Sequence, residues 1–208
     1  MHKQATFLPA LALGAAAAIL SATPSFAVPI TYTEQVTGAS GSLGGTPFFN
    51  ATVTLTMNND TTNVGGSSPS FFNVQTLTMP LALNVTGFPT GTFTDTTQAA
   101  VNQTTGIVSP DAGFGDNTAA QGILFTKNSS FSTYDLKTSI GPILGTAIFT
   151  LGESFATTDG QFVLNTVTGS AAFTGVVSPA AIPAPGSLAM LVVGLAGLGL
   201  IRYRRKSP

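Results

Sequence analysis

Residues 50–57 read N-A-T-V-T-L-T-M, a stretch in which polar and apolar side chains alternate without a break. The apolar side chains, from Ala51 to Met57, fall on one side of an extended chain and the threonines on the other, because successive side chains of a strand point to opposite faces. This alternation predicts a half-buried β-strand. The N-N-D that follows, residues 58–60, predicts a turn, since Asn and Asp tolerate left-handed backbone and bond to nearby backbone groups.

Eight further segments show the same short alternation, separated by Gly, Asn, Asp and Pro, and no heptad pattern or long helical stripe interrupts them. Short strands with a turn signal every roughly eight to twelve residues predict an all-β fold, namely an antiparallel β-sandwich or jelly roll. The other predicted strands are residues 30–37, 71–79, 81–86, 122–126, 131–136, 143–151, 161–168 and 170–177.

Phenylalanine supplies most of the predicted core, because the chain has fifteen phenylalanines and no tryptophan. This composition indicates packing rather than an aromatic platform for sugars. Residues 87–122 alternate less regularly and contain several glycines and prolines, so we expect long loops there, where a local functional site is most readily placed. The alternation assigns to the core Phe49, Phe72, Phe125, Phe149, Phe162 and Phe173.

Charged side chains are scarce, at 7% of the residues, compared with about 25% in an average soluble domain. Residues 28–181 hold eight acidic and two basic side chains, a net charge of −6. Such a body has no basic surface to neutralise phosphates, so nucleic-acid binding is disfavoured. The chain has no cysteine, so disulfides, thiolate chemistry and sulfur-based zinc sites are excluded. Its one histidine is His2, within the predicted signal peptide. No cofactor and no metal site are predicted.

The first 27 residues have the layout of a secretory signal peptide. Lys3 precedes an apolar stretch over residues 7–20, and the segment ends with small side chains at the positions that signal peptidase inspects. We therefore expect signal peptidase to cleave after Ala27. A retained N-terminal membrane helix is disfavoured because Pro9 interrupts an apolar run that is already short for a membrane span.

The last 27 residues, 182–208, form a second targeting segment, after the signal peptide. Pro183 and Pro185 flank Ala184 and mark a break between the body and the tail, since proline fixes φ and lacks an amide donor. Residues 186–201 are apolar or small throughout and predict a single transmembrane helix. The basic cluster after this helix predicts a membrane stop on the cytoplasmic side, which places the body outside; it consists of Arg202, Arg204, Arg205 and Lys206.

Residues 182–208 contain, in this order, a proline motif, an apolar helix with several glycines and an arginine cluster. This order resembles the PEP-CTERM sorting signal, and the resemblance covers these residues only. The resemblance implies a Gram-negative host in which an exosortase, a membrane enzyme, cleaves near the proline motif and transfers the body to the cell surface or releases it. Ala184 departs from the family's usual Pro-Glu-Pro pattern, which bears on processing efficiency. The same tail is also labelled the C-terminal domain of ice-binding proteins, a label that describes a shared tail and not a shared activity.

Two other interpretations of the tail are a plain single-span anchor, which needs no proline motif, and a sortase signal, which requires an absent Leu-Pro-x-Thr-Gly sequence. The layout favours PEP-CTERM sorting over both. The predicted organisation is a signal peptide at 1–27, a β-sandwich body at 28–181 and a sorting tail at 182–208.

Candidate sites in the body are few. Asp111 and Asp116, with Asn117, offer oxygen ligands for calcium, but their spacing matches no complete calcium loop, and an Asp/Gly turn is the favoured interpretation. The same two carboxylates are the example pair for a hydrolase. A Ser-Lys dyad would need Lys127 or Lys137. The ladder Thr52, Thr54 and Thr56 suits a water-ordering face, but an ordinary solvent-facing strand is favoured because threonine has high strand propensity.

The expected function is an exported structural or adhesive protein of the cell surface or the exopolysaccharide matrix, and not an enzyme. Its expected partners are signal peptidase, an exosortase, the inner membrane and exopolysaccharide. A polysaccharide- or calcium-binding module is the alternative, and a secreted hydrolase is third. The residues leave open whether the mature form is anchored or released.

Overall fold

The computed structural model describes residues 27–65, 74–76, 78–112 and 122–179. The signal peptide before Ala27, the sorting tail with its transmembrane helix, and Phe72, Asp116 and Asn117 lie outside these residues. The described part contains twelve strands and two short 3-10 helices: β1 (Pro29–Leu43), β2 (Thr46–Asp60), η1 (Thr61–Asn63), β3 (Val74–Gln75), β4 (Leu81–Val85), β5 (Gly91–Thr92), β6 (Thr97–Asn102), β7 (Ile107–Ala112), β8 (Leu124–Lys127), η2 (Ser129–Thr133), β9 (Ile140–Phe149), β10 (Ser154–Thr157), β11 (Gly160–Val167) and β12 (Ala171–Val177).

The strands form one curled antiparallel sheet, which confirms the prediction of an all-β fold. Its order is β3-β6-β7-β8-β9-β12-β1-β2-β4-β5, and β11, with β10 beside it, pairs with the second half of β1. The sheet curls so that β8 lies over β1: the Thr126 hydroxyl of β8 donates to the buried carboxylate of Glu34 on β1. The core fills the space inside the curl.

β1 and β2 are the two long strands at the centre of this sheet. Leu43 pairs with Thr46 across a two-residue Gly44-Gly45 turn, and both glycines have positive φ, at 57° and 80°. A two-residue hairpin turn of this kind needs positive φ at both positions, which glycine adopts without steric cost. The predicted strand at residues 50–57 is confirmed, with its apolar residues buried and its threonines half-buried, but β2 continues through Asp60. The predicted turn at residues 58–60 is therefore wrong, because the chain turns later, in η1, which Asp60 caps by accepting from the Thr62 amide at 2.7 Å.

The segment 131–136 is not a strand as predicted, because η2 occupies its first three residues and no strand follows in the other three. The Asn128 side chain accepts a hydrogen bond from the Ser130 amide at 2.9 Å, and the Phe131 amide donates to the Asn128 carbonyl at 3.1 Å. Asparagine at a helix start satisfies backbone donors that would otherwise favour a sheet ladder. The local cap thus outweighs the short alternation of Phe131, Tyr134 and Leu136, which are still buried.

The prediction of long loops over residues 87–122 is also wrong for the described residues, since β5, β6 and β7 lie there. β6 carries Ala99, Ala100 and Val101 in succession, all with no exposed surface. A strand that is buried on both faces loses the alternation that marks a half-buried strand. Sequence periodicity therefore gives no signal for β6.

Three of the predicted core phenylalanines lie in the main core or against it: Phe162 and Phe173 are fully buried, and Phe149 is partly buried. Phe125 is buried in a small second cluster with Ala100 and Ile107. Phe49 is wrongly assigned to the core, because 77% of its surface is exposed.

The hydroxyl groups of two buried tyrosines differ in their hydrogen bonding, so the two residues allow a matched test of its contribution to stability. The Tyr32 hydroxyl donates to the Leu136 carbonyl oxygen at 2.5 Å, whereas among the described residues the Tyr134 hydroxyl has no hydrogen-bond partner. Burial raises the pKa of both phenols well above the usual value, with a smaller contribution from Asp135, and for Tyr134 also from Tyr32. Both hydroxyls therefore stay protonated at neutral pH.

We predict that Tyr32→Phe lowers the free energy of unfolding by about 1 kcal/mol, because it leaves a buried carbonyl without its donor. Tyr134→Phe should be neutral or stabilising, since it removes a buried hydroxyl that has no partner. Urea unfolding of both variants beside the wild type measures the difference. A larger loss in Tyr134→Phe than in Tyr32→Phe would contradict the assigned hydrogen bonds.

Candidate functional site

Both ends of the described body lie at one end of the sheet, named here the terminal pole. Ile30 pairs with Val177, and the Ser178 amide donates to the Pro29 carbonyl at 2.9 Å. Ala27, the predicted signal peptidase site, is exposed and lies two residues before the start of β1. The Gly44-Gly45 turn lies at the opposite end, the hairpin pole. The fifteen residues of β1 separate the poles by roughly 45 Å at about 3.3 Å per residue.

The outward side of β1, β2 and β4 carries a polar surface, named here the threonine face. Thr33 of β1 pairs with Thr56 of β2, and Gln35 pairs with Thr54; Thr54 also pairs with Asn84 of β4. The predicted ladder on β2 is therefore one row of a surface three strands wide. Its residues are Thr31, Thr33, Gln35, Thr52, Thr54, Thr56, Asn58 and Asn84, all half-buried or exposed.

Hydrogen bonds between side chains order part of this face. The Thr31 hydroxyl donates to the Asn58 amide oxygen at 2.8 Å, and the Gln35 amide nitrogen donates to the Thr54 hydroxyl at 3.3 Å. Asn84 donates to the Thr90 hydroxyl at 3.1 Å beyond β4. None of the eight face residues is ionisable, and all eight carry hydroxyl or amide groups that both donate and accept. On β4 the half-buried Ala82, which pairs with Thr56, interrupts these polar groups.

Phe49 protrudes near the hairpin pole because β2 carries an irregularity there. Val53 pairs with Val36 but Phe48 pairs with Gly41, and the register of β1 and β2 shifts between Ala39 and Gly41. Asn50 has φ of 50°, and its amide donates to the Ser40 hydroxyl at 3.2 Å. As a result Phe48 takes the core position, 4% exposed, with its ring stacked on Phe162 at 6.0 Å. Phe49 is left in solvent, although burying its side chain would contribute about 1.5–3 kcal/mol.

Three acidic side chains of the described body accept hydrogen bonds from the backbone. Asp60 caps η1, Asp95 accepts from the Ala156 amide at 2.9 Å, and Asp135 accepts from the Lys137 amide at 2.9 Å. Within the described residues no group of three His, Cys, Asp or Glu side chains could hold a metal ion. Asp111 lies in β7 opposite Gln98, while its predicted companions Asp116 and Asn117 lie outside the described part, so their juxtaposition stays a prediction.

Sequence reasoning found the β2 row of the threonine face but not its β1 and β4 rows, nor the exposure of Phe49. The β1 row was visible in principle, because Thr31, Thr33 and Gln35 alternate with buried residues. The two lysines of the body are dispersed and exposed: Lys127 ends β8, and Lys137 follows η2.

No helix among the described residues combines the length and the apolar character that a membrane span requires. The predicted span at 186–201 lies outside those residues. The chain matches no family model, no curated protein and no solved structure.

Proposed function

We propose that this chain is an exported structural or adhesive protein of the cell surface or exopolysaccharide matrix, sorted by an exosortase after signal peptidase has removed the first segment. The observation that carries the proposal is the common exit of both ends at the terminal pole, where the Ser178 amide bonds to the Pro29 carbonyl. The precursor has an apolar segment at each end. Both segments can enter the inner membrane beneath a single face of the body only if the two ends of the body lie together.

This geometry gives the body a defined orientation relative to the membrane. With its terminal pole at the membrane, the hairpin pole points away from the cell, roughly 45 Å out along β1. The sandwich-like body, in which β8 lies over β1, then acts as a rigid spacer that displays its far end. Contacts made there do not require catalytic groups, and the carboxylates of Asp60, Asp95 and Asp135 are engaged by backbone amides.

A polysaccharide-binding module is the second candidate, because the threonine face offers uncharged hydroxyl and amide groups. Calcium binding and secreted hydrolysis both depend on Asp111 with Asp116, and no described contact favours either of them.

The sorting proposal predicts a defined mature product. In the native host, the intact mass should correspond to cleavage after Ala27 and to loss of residues beyond about Ile182, and cell fractionation should find the product at the surface or in the medium. A strain without its exosortase should keep the tail and hold the protein in the membrane fraction.

A variant with Pro183→Ala and Pro185→Ala is the matched control, because it removes the proline motif and leaves the apolar helix and basic cluster intact. We expect it to behave in the competent strain as the wild type does in the deficient strain. An intact C-terminus in the membrane fraction of both strains would instead identify a plain single-span anchor.

A further inference from the structure

The exposed Phe49 ring is held outward by the backbone and is not a loose loop residue. Asn50, the next residue, adopts φ of 50° and donates its amide to the Ser40 hydroxyl at 3.2 Å. Bulges in strands re-aim side chains, and backbone in a sparsely populated region persists only where the surroundings impose it. The sequence thus maintains a strained conformation that exposes a phenylalanine.

The neighbours of Phe49 are small and polar. Ser40 and Ser42 of β1 lie across from this part of β2, next to the pairs that β1 forms with Phe48 and Pro47. Thr52 follows Phe49 on the outer side of β2 and begins the β2 row of the threonine face. One aromatic ring therefore stands at the end of an extended row of hydroxyl and amide groups.

The chemistry of this surface favours one class of ligand. Hydroxyl and amide side chains both donate and accept hydrogen bonds, as the hydroxyls of a sugar do, and an aromatic ring packs against the apolar face of a sugar ring. The face carries no charge, so it complements a neutral chain. A polyanion would need lysine or arginine, and neither lysine of the body is on the strands that form the face, since Lys127 is on β8 and Lys137 follows η2.

A protein partner is less well matched. Anchor residues of protein interfaces are embedded in a desolvated, well-packed surround, whereas the Phe49 side chain is 77% exposed. The other large hydrophobic residues exposed in the described part are Leu144, Leu151 and Val176. Val176 of β12 pairs with Thr31, so it borders the face at the terminal pole, the end opposite to Phe49.

We infer that Phe49 and the threonine face together bind a neutral polysaccharide, with the Phe49 ring stacked on one sugar and the β1 and β2 hydroxyls bonded to those that follow. The inference deepens the proposed adhesive function and rests on it, since export brings this face to the exopolysaccharide. Phe49 lies toward the hairpin pole, the end that points away from the membrane in the proposed orientation.

The test uses the full chain, purified in a zwitterionic detergent because detergents with sugar headgroups would compete. Co-sedimentation with cellulose, and affinity electrophoresis in gels containing dextran, amylose or alginate, supply three neutral probes and one anionic probe. We expect binding to at least one neutral polymer and none to alginate. Phe49→Ala should weaken this binding about tenfold, and Phe49→Tyr should retain it.

Two further variants separate the parts of the site. The double variant Thr33→Val and Thr56→Val removes two facing hydroxyls in side chains of similar shape and should also weaken binding. Leu144→Ala, an exposed apolar residue three strands from β2 in the order β9-β12-β1-β2, should bind as the wild type does.

Retention on none of the neutral polymers, equal binding by Phe49→Ala, or binding to alginate would overturn the inference. A change in oligomeric state of Phe49→Ala on size exclusion, with polymer binding unchanged, would assign the ring to self-association instead. The sorting assay is independent: Phe49→Ala should be processed and localised as the wild type is, so a failure of sorting and a failure of binding are distinguishable.

Discussion

Phe173→Ala is expected to lower the free energy of unfolding by about 4 kcal/mol, as large buried aromatic residues do when truncated. Phe173 has no exposed surface and lies on β12, which pairs with β1 on one side and β9 on the other. Its ring contacts three others, with centroids 6.3 Å from Tyr32, 5.6 Å from Phe131 and 5.8 Å from Tyr134. Truncation would leave a cavity between the two layers of the curled sheet.

Urea unfolding followed by circular dichroism measures this loss. Phe49→Ala is the matched control, because it removes the same ring from an exposed position and should change stability by no more than about 0.5 kcal/mol. The pair separates the two roles of phenylalanine in this chain, packing and display. If both variants lost the same stability, Phe49 would have to be packed, and the inferred binding surface would lose its basis.

The alternating stretches predicted much of the fold because they report burial of one strand face. Residues 50–57 alternate in the structure as they do in the sequence, with Leu55 and Met57 fully buried and the threonines of the stretch half-buried on the other side. Two segments depart from this relation between alternation and burial for local reasons. β6 is buried on both faces and does not alternate, and Asn128 caps η2 where alternation suggested a strand.

The candidate site was predictable only in part, because two of its features depend on pairing between strands. The β2 threonines were visible, but their combination with Thr33 and Gln35 requires the register of β1 and β2. Phe49 was misassigned because strict alternation backward from Ala51 puts residue 49 on the buried side. One irregularity near Asn50 exchanges the roles of Phe48 and Phe49, and the sequence carries no periodic signal for it.

At Gly41 the pairing of β1 is irregular with both of its neighbouring strands. The register of β1 shifts at Gly41 against β2 on one side and against β11 on the other. A Cβ atom added there would overlap the Val163 carbonyl oxygen of β11 and would lie 2.9 Å from the Phe48 ring. Glycine within a strand often marks such a close approach of another backbone.

Gly41→Ala is therefore expected to lower the free energy of unfolding by about 3 kcal/mol, at the upper end of overpacking costs, because a neighbouring backbone has to move rather than a side-chain end. Gly65→Ala is the control, since none of the described residues lies within 4 Å of a Cβ at Gly65 and its φ is outside the left-handed range; it should be neutral or slightly stabilising. Urea unfolding of both variants tests this. Because Phe48 and Phe49 share the affected bulge, Gly41→Ala should also weaken polysaccharide binding under conditions where it remains folded. Wild-type stability in Gly41→Ala would mean that β11 can move away at no cost, and the close approach at Gly41 would then not fix the register that holds Phe49 outward.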